Sequence, residues 1–393
     1  MNILFLTPYI PYPPKVGGSV RMYHLMRQLA KRHRVHLLAY DEGEDHGDVS
    51  GLEPFLGEIR RIPRSEAGKH GDPVRSLLRK RSYQTSSHYS EAMQSALDEM
   101  TGELEIDTVI VEFSQMNGFR FPDGLRLVLD EHNVEYDLLD RMARRERWSF
   151  RRLFHHYEVL RFRPEEIEFV RRADLTLATS ERDASLLREC VPERRTAVIT
   201  NGVDCREFTR PDGPRASATG VFVGATHGYP NEEGVLFFLD RILPFIRAEI
   251  PEFKMYIVGG RPPASLRERA SDQVIVTGFV DDVKPYMWEN SVFVVPLRMG
   301  GGTRFKVVEA LAASAPTVST SLGAEGIPVH DEQEIRIADE PEAFAEAVID
   351  VLRHPEEAQA MANRGRDFVR SRYDWNVIGE NLHHELEALA ARG

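Results

Sequence analysis

Residues 2–40 read "NILFLTPYIPYPPKVGGSVRMYHLMRQLAKRHRVHLLAY", and their pattern of apolar residues indicates the fold class. The apolar run "NILFLT" predicts a short buried strand, and "RVHLLAY" predicts a second one. Between them, "GGSVRMYHLMRQLAKRH" has the apolar spacing of a helix. Strand, helix and strand in this order form a βαβ unit, which places the two strands parallel in one sheet.

The same alternation continues along the chain. Further strands are predicted at "DTVIVEF", "LRLVLDEH", "ADLTLATS" and "RTAVIT", with helical or loop segments between them. Apolar residues become sparse at 211–220, "PDGPRASATG", and strands resume at "GVFVGA", "KMYIVGG", "VIVTGFV", "SVFVVPL" and "PTVST". We therefore predict an α/β protein of two Rossmann-like, doubly wound domains that face each other across a cleft, residues 1–210 and 211–373.

Composition narrows the partner and the compartment. The chain of 393 residues has a formal net charge of −12, which disfavours nucleic acid as a partner because phosphate backbones attract basic surfaces. Any phosphate site must therefore be local. The two cysteines, Cys190 and Cys205, match no zinc or redox spacing, and no stretch has the pattern of a signal peptide or the length of a membrane span. These features favour a reduced, cytoplasmic protein.

The segment "GGGTRFKVVEALA", residues 300–312, carries the strongest chemical pattern. Glycines let a ligand approach the backbone, and the first turn of a helix offers unpaired N–H groups, so together they form an anion site. Here Gly301 and Gly302 would supply bare backbone, and Thr303 would cap the helix. The alternative is a glycine-rich surface turn before an ordinary solvated helix start.

Three charged side chains follow in this segment. Arg304 and Lys306 would add positive charge to the anion site, and Glu309 lies on a neighbouring face of the same helix. A carboxylate there can accept hydrogen bonds from a ribose diol while cations and amides hold a diphosphate. The chain has no P-loop, no G-x-G-x-x-G after the strands near residues 3 and 221, no D-x-D pair and no metal-ligand spacing. We therefore expect a site without metal or other cofactor.

The chain resembles the retaining glycosyltransferases of the GT-B fold, family 4 (glycosyl transferase group 1), over nearly its whole length. The "GGGTRFK" form resembles one branch of that family, with the pattern "GGGTRxK". The resemblance is carried, in order, by "PPKVGGSVRMYHLMRQLAKRHRVHLL", "LDEHNVEYDLL", "ADLTLATSERDASLL", "VITNGVDCREF", "VFVGATHGYPNEEGVLFFL", "VIVTGFVDDVKPYMW", "VPLRMGGGTRFKVVEALAASAPTVSTSLGAEGI" and "YDW".

The resemblance implies roles for individual residues. The glycine loop, Gly17 and Gly18, would face the diphosphate and the acceptor, His132 would lie beside the transferred sugar, and Glu309 would bind the ribose. The other donor-binding residues would be Gly224, Gly278, Phe279 and Val280, the last three holding the nucleobase. Without the resemblance, these positions also fit ordinary turns, strand ends or a structural histidine. The helix at 374–393 would cross back onto the first domain.

Two departures from the family pattern bear on the donor. The family's acidic pair is usually E-x7-E, but Gly301 stands where the first glutamate would touch a donor-sugar hydroxyl, so the sugar is not indicated. Family members often carry Arg and Lys after the first strand of the second domain, whereas "VGATHGYPNEEG" has neither. We expect Arg304 and Lys306 to compensate the diphosphate charge instead.

The acceptor side is indicated less directly. The stretch Arg141 to Arg172 holds ten arginines against five glutamates, interleaved with aromatic residues. Such a stretch can lie on an anionic membrane surface, and acceptors of the family are often lipid-linked sugars. The alternative is a pair of amphipathic helices with solvated arginines. Glu112 and Gln115 follow a predicted strand, where ligands of doubly wound sheets gather, and are candidate acceptor contacts.

The predicted function is a hexosyl-type glycosyltransferase, cytoplasmic or peripheral at the inner face of the membrane. It would move a sugar from a nucleoside diphosphate sugar, UDP by resemblance, to a hydroxyl of a sugar, a lipid-linked or a small-molecule acceptor, with retention. Arg304 and Lys306 would stabilise the leaving diphosphate, and His132 completes the predicted catalytic set. The alternatives are a sugar-nucleotide epimerase of the same fold and a catalytically silent subunit that binds a sugar nucleotide or glycan.

Overall fold

The computed structural model describes residues 1–14, 17–41, 48–64, 81–145, 150–299 and 305–391. The chain divides into two compact units, which we call unit 1 (Met1–Thr200 with Ile378–Gly393) and unit 2 (Asn201–Val377). Each unit contains one sheet of parallel strands with a crossover order. The predicted pair of Rossmann-like α/β domains is therefore confirmed.

Unit 1 contains a seven-stranded sheet with the order β3-β2-β1-β4-β5-β6-β7. The strands are β1 Asn2–Thr7, β2 Arg34–Asp41, β3 Ile59–Pro63, β4 Thr108–Glu112, β5 Arg126–Glu131, β6 Leu175–Ala178 and β7 Thr196–Val198. The helices are α1 Gly17–Leu29, α2 Tyr83–His88, α3 Glu91–Glu103, α4 Glu135–Arg145, α5 Phe150–Arg172 and α6 Glu181–Cys190, with a 3₁₀ turn at Ser114–Met116. The strand order reverses between β1 and β4, which is where doubly wound sheets bind ligands.

The central strands of unit 1 are continuous apolar runs because both faces of the sheet are covered. Leu4, Val109 and Leu129 lie in neighbouring strands and belong to one buried cluster. Strand β3 is different, because it lies at the edge of the sheet and its arginines are partly exposed. An apolar run therefore predicts the central strands but not this edge strand.

Unit 2 contains a six-stranded sheet with the order β10-β9-β8-β11-β12-β13. The strands are β8 Thr219–Val223, β9 Lys254–Val258, β10 Val274–Gly278, β11 Val292–Val295, β12 Thr317–Ser319 and β13 Arg336–Ile337. The helices are α7 Tyr229–Phe237, α8 Leu243–Glu249, α9 Ala264–Arg267, α10 Lys284–Glu289, α11 Phe305–Ala312, α12 Pro341–Arg353 and α13 Pro355–Arg372, with a π-helical turn Phe238–Ile242 joining α7 to α8. The last helix, α14 Trp375–Ala390, begins in unit 2 and belongs to unit 1 from Ile378 onward.

The division between the units falls after Thr200, ahead of the boundary at residue 210 that composition suggests. The backbone N–H of Val203 donates to the carbonyl of Tyr373 at 2.8 Å, and the Trp288 indole N–H donates to the carbonyl of Phe208 at 3.1 Å. These hydrogen bonds attach residues 201–210 to unit 2. Composition predicts a boundary where apolar residues become sparse. The unit to which a residue belongs depends instead on the residues with which it forms hydrogen bonds.

The C-terminal helix α14 is shared between the units. It begins in unit 2, and from Ile378 onward it packs with unit 1. His383 Nε2 lies 3.1 Å from the carbonyl oxygen of Gln28 in α1, and Glu385 pairs with Arg195 at 2.5 Å. A segment distant in sequence thus covers the outer side of α1.

Candidate active site

Glycines gather at the carboxyl edge of the sheet in unit 2. Strands β8, β9 and β10 are neighbours, and Gly224, Gly259 and Gly278 stand at or just after their ends. A Cβ added at Gly259 would lie 1.9 Å from the Gly224 carbonyl oxygen, so the two backbones approach too closely for any side chain. This edge offers the bare backbone that a phosphate ligand requires.

Lys306 in α11 lies over this edge. Its ammonium donates a hydrogen bond to the side-chain oxygen of Asn231 at 2.5 Å and lies 4.4 Å from the centroid of the Phe222 ring. A Cβ added at Gly224 would be only 2.9 Å from the Lys306 Nζ. The helix therefore carries a positive charge directly to the end of the first strand of unit 2, at the position where the sequence lacks a cation.

Glu309 lies one helical turn after Lys306. Burial raises the pKa of its carboxyl to about 7, and the nearby Lys306 opposes part of that rise. The carboxyl is therefore close to half-ionised at neutral pH. A group in this state gains its charge when a hydrogen-bond donor such as a ribose diol approaches it.

The predicted nucleobase segment lies at the end of β10. Gly278 has a φ of +74°, a conformation that favours glycine, and it turns the chain so that Phe279 is 72% exposed. Val280 is partly buried and packs against the core of unit 2. An exposed aromatic face next to bare backbone fits a stacked base, and the base contact remains a prediction.

Part of the predicted phosphate site is not described. Gly301, Gly302, Thr303 and Arg304 lie outside the described residues, so their roles remain predictions. Lys306 and Glu309 are described, and they lie on the same helix as the sequence spacing indicates.

Unit 1 has a second cluster at the carboxyl edge of its own sheet. Gly17 and Gly18 begin α1, and a Cβ at Gly18 would lie 2.3 Å from the Tyr9 hydroxyl oxygen, 3.1 Å from Phe113 and 3.6 Å from His132 Nδ1. Any larger residue here would displace the Tyr9 hydroxyl and crowd the Phe113 ring. The glycine loop and His132 are thus brought together at the point where the strand order reverses.

His132 belongs to a buried network. Its Nε2 lies 2.7 Å from Glu112 Oε2 and 3.8 Å from Asp130 Oδ2, and both oxygens of Asp130 accept hydrogen bonds from the guanidinium of Arg21. Arg21 and Asp130 are fully buried. Burial lowers the pKa of His132 to about 3 and raises the pKa of Glu112 well above its ordinary value.

The same cluster has the composition of a metal site. Ligand atoms of Glu112, Asp130 and His132 all lie within 4.8 Å of one another. However, Arg21 occupies both oxygens of Asp130, and a divalent ion would sit beside a buried guanidinium. The residues therefore fit an ion-paired hydrogen-bond network better than a metal site.

Sequence reasoning missed several of these residues. Arg21, Asp130 and Asn231 carry no local signal, because their partners come from distant strands and helices. Glu112 was expected to contact the acceptor, but it has no exposed surface and bonds to His132 instead. Gln115 is partly buried beside Glu135, and its acceptor contact remains a prediction.

The basic stretch Arg141–Arg172 falls on α4 and α5, with residues 146–149 outside the described part. Leu153 and Leu160, two turns apart on α5, are 50% and 77% exposed, with exposed Phe154 beside them. Two glutamates of α5 point inward: Glu158 accepts backbone N–H bonds at the start of α2, and Glu166 does so at the start of α4. The outer face of α5 therefore exposes apolar side chains. Among the described arginines of this stretch, Arg141 pairs with Asp137, and Arg171 lies near Glu168 and Glu193. Among the described residues, no helix has the length and apolar character needed to cross a bilayer.

Comparison with known families identifies the class. A model described as "Glycosyltransferase Family 4" matches residues 16–207, and one described as "Glycosyl transferases group 1" matches residues 217–354. Two Rossmann-like units with these matches define a glycosyltransferase of the GT-B type. The chain belongs to glycosyltransferase family 4, group 1, which confirms the family and the GT-B fold of the resemblance. Retention and the "GGGTRxK" branch stay predictions.

Similar proteins include two relatives in sequence and one in structure. An uncharacterized 44.6 kDa protein in the cps region of Klebsiella pneumoniae is 21% identical over 98% of this chain and 99% of its own length. A GDP-mannose-dependent monoacylated alpha-(1-6)-phosphatidylinositol monomannoside mannosyltransferase of Corynebacterium glutamicum is 26% identical over 48% of this chain and 55% of its own. The Anabaena protein HepE, solved in complex with UDP, has a TM-score of 0.69 and 14% identity over 99% of this chain and 100% of its own.

Proposed function

We propose that this glycosyltransferase moves a hexosyl residue from a UDP-sugar to a hydroxyl acceptor with retention of the anomeric configuration. The observation that carries the proposal is the placement of the Lys306 ammonium at the Gly224 strand end, with Glu309 one turn further along the helix. Cation, bare backbone and carboxylate match the diphosphate and ribose of a nucleoside diphosphate sugar.

Catalysis would rest on stabilising the leaving group. As the bond from the sugar to the diphosphate breaks, negative charge grows on the phosphate oxygens, and a held ammonium stabilises this charge more than it stabilises the intact donor. The acceptor oxygen attacks the same face of the sugar, and its proton passes to the departing phosphate oxygen. No separate base is needed. Arg304 would add a second cation.

UDP is the proposed nucleotide, and GDP-mannose is the second candidate. HepE, which matches nearly the whole chain in structure, was solved with UDP. The mannosyltransferase of Corynebacterium glutamicum is named for GDP-mannose, and it matches about half of the chain. The exposed ring of Phe279 could stack on either base, because every base has a π-face.

We further propose that the reaction needs no metal ion and that the acceptor is lipid-linked. The Lys306 ammonium supplies local positive charge in place of a metal ion. Arg21 already neutralises Asp130, a carboxylate that could otherwise bind one. The outer face of α5, with Leu153, Leu160 and nearby arginines, would rest on an anionic membrane surface. The named acceptor of the Corynebacterium glutamicum relative is itself a lipid.

The test is a screen of UDP- and GDP-sugars by thermal shift and by turnover with lipid extracts, with mass spectrometry of the products. We expect UDP and one UDP-sugar to raise the melting temperature, and a chelator to leave turnover unchanged. Stabilisation by GDP alone would favour the second candidate. Epimerised donor without acceptor product would identify an epimerase, and binding without turnover would identify a silent subunit.

A further inference from the structure

The ring of His132 is held by two residues at the end of β4, Glu112 and Phe113. Phe113 stacks on it with centroids 3.8 Å apart and an interplanar angle of 23°. Phe113 has a φ of +70°, which is costly for a non-glycine residue, and this conformation directly follows the end of β4. Strained backbone that fixes an aromatic ring indicates that the orientation of His132 matters.

Within the described part of the chain, one strong hydrogen bond reaches the Nε2 edge of the ring. Glu112 Oε2 lies 2.7 Å from Nε2, whereas Glu112 Oε1 has no hydrogen-bond partner among the described residues. Asp130, the other carboxyl near Nε2, gives both oxygens to Arg21. The acid form of Glu112 also has the Asp130 carboxylate as a possible acceptor. Because both Asp130 oxygens already accept from Arg21, we infer that the acid proton lies in the bond between Glu112 Oε2 and His132 Nε2.

Charge balance then decides the protonation of the ring. Arg21 forms its ion pair with Asp130, and among the residues that the structure describes no other Lys or Arg pairs with Glu112. An ionised Glu112 beside a neutral imidazole would leave a net negative charge buried, which is expensive. An imidazolium would have to form in a site that is almost wholly shielded from water. The remaining arrangement is a neutral carboxylic acid that donates to a neutral imidazole.

We propose that Glu112 is a positioning residue that donates its acid proton to His132 Nε2 and thereby keeps the ring proton on Nδ1. Nδ1 is the nitrogen on the Gly18 side, where a Cβ would lie 3.6 Å away. His132 is therefore a hydrogen-bond donor toward the glycine loop, and it does not act as a base through Nδ1. That the accepting atom is an oxygen of the sugar nucleotide rests on the proposed function.

The environment of both groups agrees with this assignment. Burial raises the pKa of Glu112 well above its ordinary value and lowers the pKa of His132 to about 3, with Asp130 and Arg21 as the other charged groups facing the pair. The pair thus stays neutral across the physiological range. The donor function of His132 is consequently independent of pH there.

The test is the tautomer of His132 in the free protein, measured by ¹⁵N–¹H correlation spectra of histidine-labelled chain at about pH 7. An internal reference exists in the same unit, because His36 Nδ1 accepts the backbone N–H of Glu58 at 2.9 Å and must carry its proton on Nε2. We expect opposite tautomers for the two histidines. A His132 signal with the proton on Nε2, or with both nitrogens protonated, would overturn the proposal.

Two variants separate positioning from packing. Glu112→Gln can still donate an N–H to Nε2, so we expect this variant to keep the Nδ1–H tautomer and most of its activity. Glu112→Leu has no such donor, and we expect its kcat to fall roughly tenfold. The activity of Glu112→Leu should depend on pH, with a change near the ordinary histidine pKa of about 6.5. If the leucine variant does not fold, the spectra of wild type and Glu112→Gln still decide. The tautomer is measured without a sugar nucleotide. The result therefore stands even if the protein catalyses a different transfer reaction.

Discussion

The Lys306 ammonium donates to the side-chain oxygen of Asn231, 2.5 Å away, while it lies above the ring of Phe222. Asn231 belongs to the first helix after β8, and Lys306 belongs to α11. The contact holds a flexible lysine at the end of a strand. A cation fixed before the ligand arrives costs less to reorganise during the reaction.

Lys306→Ala is expected to lower kcat by about 10²-fold or more, with a smaller loss of donor affinity, because the charge that it stabilises grows in the transition state. Asn231→Ala should cost roughly three- to tenfold, since the lysine remains but is less well placed. Steady-state transfer and UDP titration measure both effects. Lys254→Ala, an exposed lysine at the start of β9, is the matched control. Normal kcat in a folded Lys306→Ala variant would contradict the assignment.

We predict that Glu309 makes nucleotide binding depend on pH. Its folded pKa of about 7 lies above the ordinary value, so its contribution to stability is present at low pH and is lost as pH rises through 7. The pH dependence of ribose binding should have the opposite sign, because the proposed contact uses the ionised carboxylate as acceptor. UDP affinity should fall by up to about tenfold per pH unit below that pKa. Calorimetric titration from about pH 5.5 to about pH 8 measures this.

Glu309→Gln should bind UDP roughly tenfold more weakly and without this pH dependence. Glu346→Gln, an exposed glutamate of α12, controls for the change in net charge. A wild-type affinity that is flat across the range, or a dependence that survives in Glu309→Gln, would show that another group is responsible.

Two glycine substitutions should separate the ligand site from the fold. The Cβ of Gly224→Ala would press on Lys306 Nζ at 2.9 Å, which is the end of a flexible side chain, so we expect weaker UDP binding with little loss of stability. The Cβ of Gly259→Ala would meet backbone oxygen at 1.9 Å and should cost about 1–3 kcal/mol or more. Melting temperature and UDP titration of both variants provide the comparison. Equal loss of stability in the two would remove the distinction.

Arg215 is predicted to anchor α11 from the segment that precedes β8. Its guanidinium donates to the carbonyl oxygens of Met287, Trp288 and Asn290 at the end of α10, and to that of Ser314 just after α11 at 2.6 Å. Arg215→Ala should reduce the free energy of unfolding by about 3 kcal/mol, because several buried acceptors lose their donor. Arg215→Lys should restore only part of it, since an ammonium lacks the planar fork. Denaturant unfolding, with exposed Arg241→Ala as control, tests this.

Membrane contact through α5 is tested by Leu160→Glu. Leu160 is largely exposed, so the substitution should not disturb folding, but it should weaken co-sedimentation with vesicles that contain anionic lipid by roughly tenfold. Phe245→Ser, at an exposed aromatic of unit 2, is the control and should bind like wild type. Equal binding to neutral and anionic vesicles, or unchanged binding of Leu160→Glu, would remove α5 as the contact.

The parts of this protein that were predictable from sequence are those whose determinants are local. The central strands are apolar runs, and Lys306 and Glu309 share a helix, so spacing alone places them together. Strand β3, "IRRIP", is not predicted because its two arginines interrupt the apolar pattern. One of them, Arg60, forms ion pairs with Glu99 and Glu103 in α3.

The network around His132 could not be predicted because its members are far apart in sequence. Arg21 looks like a solvated residue of an amphipathic helix, yet it is fully buried against Asp130. Glu112 and His132 follow different strands, and only the parallel register of β4 and β5 brings them within hydrogen-bond distance. Sequence spacing carries no signal for such pairs, whereas the sheet order does.

The return of Ile378–Gly393 to unit 1 has a consequence for synthesis on the ribosome. The N-terminal unit emerges first, but the helix that covers α1 exists only after all of Asn201–Val377 has been translated. Until then, the face of α1 around Gln28, which packs against Gly379 and bonds to His383, stays open to water and to chaperones. A stop codon just before Ile378 would therefore damage the half of the enzyme that is made first.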